Sequence, residues 1–212
     1  MKEDLANRSY HGKNMPTMKH SPLVLSAAFL ATLSLSACGS QAGTTIAEEN
    51  QNPLVASRYG DELADSMANL VIQNDEIIKD PIARSAIDAQ ITFGKQLGTD
   101  ARQVQAQGMK GTLIPIKMEM AGDALYVSDM LFLASDFSTK PGPELHVLLS
   151  TAVDPRDIAF PDPSVIDLGV IQSIYGAQQY RVPHQKNPML YRTLVLFDRK
   201  LSRIYGFAQL SK

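Results

Sequence analysis

GTLIPIKMEMAGDALYVSDMLFLA, residues 111–134, is the segment from which the fold prediction starts. From Ile114 to Met120 every second residue is apolar. The charged side chains of Lys117 and Glu119 lie between them. Successive side chains of a β-strand point to opposite faces of the sheet, so this period of two predicts a strand with one buried face.

Further short segments of the C-terminal half have strand character and are separated by turns rich in glycine, proline and aspartate. They are residues 124–127, 130–134, 144–151, 165–171, 178–182, 191–197 and 203–210. Seven or eight short strands within about 100 residues are typical of an antiparallel sandwich or barrel. We therefore predict a mainly β protein in which residues 109–212 form an antiparallel β-sandwich.

Two helices are predicted in front of the strands. Apolar residues recur at steps of three and four in residues 57–79 and again from residue 81 to about Gln107, which is the helical period. The first stripe consists of Leu63, Met67, Leu70, Val71, Ile77 and Ile78. Asp80 can cap the second helix, with Pro81 in its first turn. The short connection predicts an antiparallel helical hairpin over residues 57–108. Small residues on the second helix favour close packing: Ala83, Ala86, Ala89, Gly94 and Gly98.

The N-terminal region has the pattern of an export signal. A short positive segment at Met18-Lys19 precedes about thirteen apolar or small residues, too few to cross ~30 Å of hydrocarbon comfortably. The run ends in Leu35-Ser36-Ala37-Cys38, which resembles the bacterial lipobox. We predict cleavage before Cys38 and attachment of fatty acyl chains such as palmitate, because two or three chains suffice for stable anchoring to a lipid bilayer.

This interpretation divides the N-terminal region into two segments. Residues 1–37 are the signal peptide; residues 1–17 are too acidic and polar for an export signal, so we expect translation to start at Met18. Residues 38–56 form a lipidated tether, since small polar residues bury too little surface to order themselves. Gly39 resembles the outer-membrane address of Gram-negative lipoproteins. We therefore expect a cell-envelope protein on the outer membrane, facing the periplasm.

Composition narrows the function classes. Loss of residues 1–37 removes four basic and two acidic residues and leaves 16 basic against 20 acidic, a net charge of −4. With no long basic run, nucleic acid is not an expected partner. The single cysteine excludes an intrachain disulfide, a Cys-x-x-Cys redox pair and a cysteine zinc site. No serine-hydrolase, zinc-protease or phosphate-loop motif occurs, so we predict that the protein is not an enzyme.

Several pieces of the C-terminal half occur in a recognisable order. They are Gly111-Thr112-Leu113, Asp136-Phe137-Ser138 followed by residues 142–150, residues 167–171, residues 176–180 and residues 207–210. Together they resemble the DM-thirteen domain, a DOMON-associated module proposed to act in electron transfer. The resemblance implies a redox role. The family commonly carries a cysteine at the end of the penultimate strand, where this chain has Phe197, which can neither ligate a metal nor form a disulfide.

Methionines and histidines are candidate metal ligands. Thioethers and imidazoles bind cuprous ion in exported proteins, which singles out Met118, Met120, His146 and His184. The two histidines are also the candidate haem ligands. The alternative is that both methionines fill the core, that His146 is a half-buried strand residue and that His184 is solvated. We predict no cofactor, with copper or haem as alternatives.

Tyr175, Gln178 and Tyr180 could line a groove for a small molecule or glycan, because amphipathic tyrosine favours such surfaces. Alternatively, the tyrosines pack into the sandwich and form hydrogen bonds at its rim. We expect a membrane-anchored, non-enzymatic module that binds a ligand or an envelope protein; the alternative function is a component of electron transfer.

Overall fold

The protein is described by a computed structural model that covers residues 45–212. Cys38 and the predicted signal peptide lie outside the described residues. The helices are α1 (Ile46–Glu49), α2 (Pro53–Ile72) and α3 (Pro81–Gln107), with a 3-10 helix at Glu76–Lys79 between the last two and another at Pro188–Leu190. None of the helices in residues 45–212 is long and apolar enough to cross a membrane.

Eleven strands follow the helices in the described part of the chain. They are β1 (Met109–Thr112), β2 (Ile114–Pro115), β3 (Met120–Ala121), β4 (Asp123–Val127), β5 (Met130–Leu133), β6 (Ser138–Thr139), β7 (Leu145–Ser150), β8 (Ile166–Val170), β9 (Gln178–Arg181), β10 (Thr193–Asp198) and β11 (Arg203–Gln209). One sheet has the order β1-β4-β5-β9, another β2-β11-β10-β7-β8, and β3 pairs with β6. These pairings are antiparallel. The predicted fold class, a mainly antiparallel β protein with a helical hairpin in front, is confirmed.

The main core lies between the four-stranded and five-stranded sheets. Leu131 and Leu133 of β5 and Val147 and Leu149 of β7 belong to this core, and all four are fully buried. Alternation along β7 turns the side chains between them to the outer face of the five-stranded sheet.

The outer faces of both large sheets are also covered. Leu54 of α2 packs on the outer face of the four-stranded sheet, against Leu125, Val127 and Phe132. On the five-stranded sheet a second cluster is covered by side chains of the 151–165 loop. This cluster contains Leu148, Val195, Phe197 and Phe207, with Phe160 and Val165 packed against it. Because both faces of each large sheet are covered, strands β5, β7 and β10 are almost entirely buried.

The helical hairpin is held by caps and by close backbone contact. As predicted, the Asp80 side chain accepts a hydrogen bond from the Ile82 N–H at 2.8 Å and Pro81 opens α3. A Cβ atom added at Gly94 would lie 2.5 Å from the carbonyl oxygen of Gly60, so the glycines allow the two helices to approach.

Two helix boundaries differ from the prediction. The tether was expected to reach residue 56, but α2 begins at Pro53, and Pro53, Leu54 and Ala56 are buried. Asn52-Pro53 is the same cap-and-proline signal as Asp80-Pro81, and the Leu54 N–H donates to the Asn52 side chain. At the other end α2 stops at Ile72, Asn74 has φ of 53°, and Ile77 is exposed in the 3-10 helix rather than in the predicted stripe.

The predicted strand from Ile114 to Met120 is also broken. Ile114 and Pro115 are in register with β11, and the N–H groups of Ile116 and Lys117 still donate to the Tyr205 carbonyl before the chain leaves the sheet. Pairing resumes at Met120 with a different strand, β6. Proline has no N–H group to donate to a ladder, which limits it to strand ends and edges. Ile114 is exposed, whereas Met120 is buried, so the two residues do not share one buried face as predicted.

Candidate functional site

The residue that takes the expected cysteine position lies on the outer face of the five-stranded sheet. Phe197 of β10 is directly opposite His146 of β7. Its side chain is 5% exposed and meets Phe160 edge to face, with ring centroids 5.6 Å apart at 69°. Phe197 is therefore a packing residue at this position.

His146 lies at the centre of a polar cluster on this face. Its Nδ1 atom is 3.0 Å from each carboxylate oxygen of Asp167. Asp167 also accepts hydrogen bonds from Arg199 and from the Gly169 N–H. Burial alone would raise the pKa of Asp167, but the hydrogen bonds from His146 and Gly169 and the charges of His146 and Arg199 lower this pKa below its usual value.

The second imidazole nitrogen of His146 has no hydrogen-bond partner. Nε2 is buried and lies 3.7 Å from the nearest Glu144 oxygen, beyond hydrogen-bond distance. In the neutral form of the ring, Nδ1–H donates to Asp167 and Nε2 carries the lone pair, which is one of the tautomers found in metal-binding histidines. Within residues 45–212, however, no group of three His, Cys, Asp or Glu side chains is placed to hold a metal ion.

The structure does not bring the four predicted metal ligands together. Met120 is buried in the main core and Met118 packs against it, whereas His146 lies on the outer face. The His184 side chain is 82% exposed beyond β9, with its Nδ1 2.8 Å from Asp129. The donor set around His146 consists of one buried imidazole, which does not fit a cuprous site or offer an open ligand position to haem.

Two residues of the predicted groove are internal. The Tyr180 hydroxyl donates to the Gln178 side chain at 2.6 Å and accepts from the Gln172 N–H at 3.0 Å. The Gln178 amide donates to the Ser173 carbonyl at 2.8 Å. Burial raises the pKa of Tyr180 to about 12. Tyr175 is 67% exposed. Tyr180 and Gln178 therefore hold the 172–180 loop in place.

A polar cavity of about 360 Å³ does adjoin this loop. Its lining residues are Glu48, Glu49, Asn52, Gln172, Gly176, Ala177, Gln178 and Gln179. Of the three predicted groove residues, only Gln178 contributes to it.

A cavity of about 460 Å³ opens beside Phe197, and we call it the Phe197 cavity. It is lined by Ile116, Lys117, Pro155, Arg156, Ile158, Phe160, Phe197, Leu201, Ser202, Arg203 and Ile204. The sequence analysis did not predict this cavity, because its lining comes from three segments that are far apart in the sequence. The signal that could have found it is Phe160, a large aromatic residue in the loop between two predicted strands.

An apolar groove of about 330 Å³ lies where the hairpin meets the four-stranded sheet. Its lining includes Ala56 of α2, Leu97 and Val104 of α3, and Met130 and Phe132 of β5. It lies on the opposite sheet from the Phe197 cavity and carries one charged lining residue, Asp100.

Residues 116–210 match the family described as Electron transfer DM13. We call these residues the DM13 domain after the family that they match. The predicted resemblance to the DM-thirteen family is thereby confirmed. No curated protein and no solved structure matches the chain.

The DM13 domain contains both Phe197 and His146, and the lining of the Phe197 cavity lies entirely within it. The helical hairpin and strand β1 precede residue 116. Nevertheless, β1 is the edge partner of β4 within the sandwich. The DM13 domain therefore supplies the candidate site, and the preceding segment completes the sheet.

Proposed function

We propose that this protein is a lipid-anchored component of the bacterial envelope in which the DM13 domain acts as a non-enzymatic binding module. The family is one of electron transfer, but the thiol that the resemblance implies is replaced by Phe197. The observation that carries the proposal is that this phenylalanine is buried and forms one wall of a cavity. Concave sites that combine aromatic and aliphatic walls with a few polar groups are typical of small-molecule binding, and this cavity has both kinds of lining.

The proposed anchor is Cys38. The lipobox-like Leu35-Ser36-Ala37-Cys38 ends seven residues before Thr45, where the described structure begins. Acyl chains on this cysteine would hold the DM13 domain near the bilayer surface. The proposed location is the outer membrane, on its periplasmic side, where an envelope protein could be a further partner.

Membrane fractionation tests the anchor. In a Gram-negative host, we expect the wild-type chain in the membrane fraction, with an acylated Cys38 in the mass spectrum of its processed N-terminal peptide. Cys38→Ser should abolish both the acyl mass and the processing. Ser40→Ala, two positions away, is the matched control and should be processed normally. An unmodified Cys38 in the wild-type peptide would overturn this part of the proposal.

The second candidate function is electron transfer through a bound redox group. The family description favours it, although the buried Nε2 atom of His146 is a single donor and offers no open ligand position to copper or haem. We expect elemental and optical analysis of the membrane-extracted protein to find neither bound in stoichiometric amount. Stoichiometric copper or haem that is lost in His146→Gln but kept in His184→Gln would favour electron transfer over binding.

A further inference from the structure

We propose that the Phe197 cavity binds a planar organic anion, with its ring against Phe160 and its acidic group between Lys117 and Arg203. This inference rests on the proposed binding function and names the chemical class of its ligand. An aromatic carboxylate, sulfonate or phosphate ester shares the required chemistry.

The charge of the lining determines the sign of the ligand. The three charged residues of the cavity, Lys117, Arg156 and Arg203, are all cationic. Arg156 is paired with Asp154, whereas Lys117 and Arg203 have no acidic partner among the ion pairs of residues 45–212. The predicted mature chain has a net charge of −4, so its overall composition does not explain a purely cationic cavity. Lining of one sign concentrates counter-ions.

The walls determine the shape of the ligand. Phe197 is a buried lining residue of the cavity, and the half-buried ring of Phe160 lies edge to face against it. Aromatic rings pair in offset or edge-to-face geometry with centroids about 4.5–7 Å apart, so a planar ligand ring can extend this pair. The cavity volume of about 460 Å³ falls in the usual range for small-molecule sites.

The cationic groups are positioned by elements that are already formed. Arg203 opens β11 directly after the tight turn that contains Ser202, which has φ of 48°. Arg156 lies 5.3 Å from the centroid of the Phe207 ring and is held there by Asp154. A guanidinium group presents a planar fork that matches a carboxylate or phosphate, so Arg203 favours an oxyanion over a halide.

Calorimetric titration of the full lipidated chain in nanodiscs, with empty nanodiscs as the blank, tests the ligand class. The probe is 2-naphthoate. Its matched analogues are 2-naphthalenemethanol, which has the ring without the charge, and acetate, which has the acid without the ring. We expect 2-naphthoate to bind one per chain. Each analogue should bind at least about tenfold more weakly, because the alcohol lacks the charge-assisted contact and acetate lacks the ring contact.

Variants locate the binding. Arg203→Glu should weaken 2-naphthoate binding at least about tenfold and leave the weak binding of the neutral analogue unchanged. Arg181→Glu, at an exposed arginine of β9 in the other large sheet, is the matched control and should change neither. Phe160→Ala should weaken both aromatic probes. Thermal unfolding of each variant checks that it is folded.

The outcomes separate this inference from the proposed function. If both aromatic probes bind equally well, and their binding depends on Phe160 but not on Arg203, the cavity is still a binding site. The inference that its ligand is an anion would then be wrong. Binding that ignores both substitutions would place the probe elsewhere, for instance in the apolar groove under the hairpin, and would overturn the inference. If 2-naphthoate does not bind at all, the inference is also overturned. The proposed function is tested separately, by membrane fractionation for the anchor and by elemental and optical analysis for a redox group.

Discussion

The hydroxyl group of Tyr180 is bound on both sides inside the protein. It donates to Gln178 and accepts from the backbone of Gln172. Tyrosine and glutamine at a strand end suggest a ligand groove. In the structure, their side chains instead form hydrogen bonds with polar groups of the neighbouring loop, which would otherwise be unpaired. The neutral phenol is the form that burial favours, so this residue responds to alkaline pH.

Tyr180 should make stability fall at high pH. Its pKa is raised from 10.0 to about 12, so its contribution is complete below pH 10 and is lost as pH rises towards about 12. This difference corresponds to roughly 2–3 kcal/mol. In urea unfolding as a function of pH, Tyr180→Phe should be less stable by about 1–2 kcal/mol at neutral pH and should lose this part of the alkaline decline. Tyr175→Phe, at an exposed tyrosine, is the control; an unchanged slope in Tyr180→Phe would contradict the assignment.

Asp167 should make the folded protein less stable at low pH. Its folded pKa is lowered, so the stability that it contributes is present above its ordinary pKa of 3.8 and is lost as pH falls through the lower folded value. Asp167→Asn should cost about 1–3 kcal/mol at neutral pH, because His146 and Arg199 lose a charged acceptor and one of its two oxygens, and should flatten the acid limb. Asp157→Asn, in the exposed part of the 151–165 loop, should do neither. The measurement is urea unfolding from neutral pH down to about pH 2.

The candidate site was only partly predictable at this scale. His146 could be singled out as a strand histidine, but its partner Asp167 is 21 residues away in sequence, and Arg199 is a further 32 residues from Asp167. Residue type and local period do not report such long-range contacts.

At the scale of single elements, local signals set most of the boundaries. The start of α3 after Asp80 follows from capping and proline rules. The positions of β4, β5 and β7 follow from their apolar runs. Short pieces such as β3 and β6 have too few residues to show a period. The contact between the two long helices depends on where glycines face each other, which is a property of the pair.

Gly94 should be the glycine that limits this contact. A Cβ atom there would meet the backbone oxygen of Gly60 at 2.5 Å, which only a helix shift can relieve. At Gly98 the nearest atoms belong to the side chains of Asp61 and Arg102, which can move. We expect Gly94→Ala to lower the free energy of unfolding by about 1–3 kcal/mol.

Gly98→Ala is the matched control. It should be neutral or stabilise by up to about 1 kcal/mol, because alanine is the better helix former. Denaturant unfolding of both variants is the measurement, and equal effects would show that helix approach is not set by Gly94.

At the scale of the whole molecule, buried side chains connect the hairpin to the sandwich. Asn52 accepts from the Leu54 N–H and donates to the Leu133 carbonyl at 2.7 Å. Gln105 donates to the Pro53 carbonyl at 2.6 Å and accepts from Lys110 at 3.1 Å. The sandwich class could be predicted because period two is local; the strand order and these connections could not, since they join residues far apart in sequence.

Asn52→Ala should remove both hydrogen bonds of this side chain, the one to α2 and the one to β5. It removes the α2 cap, at about 1 kcal/mol, and takes a donor from the buried Leu133 carbonyl, at about 1–3 kcal/mol. Asn69→Ala, at an exposed position within α2, should be neutral or slightly stabilising. Amide hydrogen exchange should show faster opening in the first turn of α2 and in β5 for Asn52→Ala. Loss of protection in α2 alone would mean that the connection does not couple the two parts.

The cover that α2 provides has a practical consequence for anyone who trims the chain to its family boundaries. A fragment of residues 116–210 would lack Leu54 and β1. Leu125, Val127 and Phe132 would then face water beside a strand, β4, whose hydrogen-bonding edge is open. Such a fragment would tend to stick to itself edge to edge, so poor solubility of the isolated piece would reflect the cut rather than the native protein.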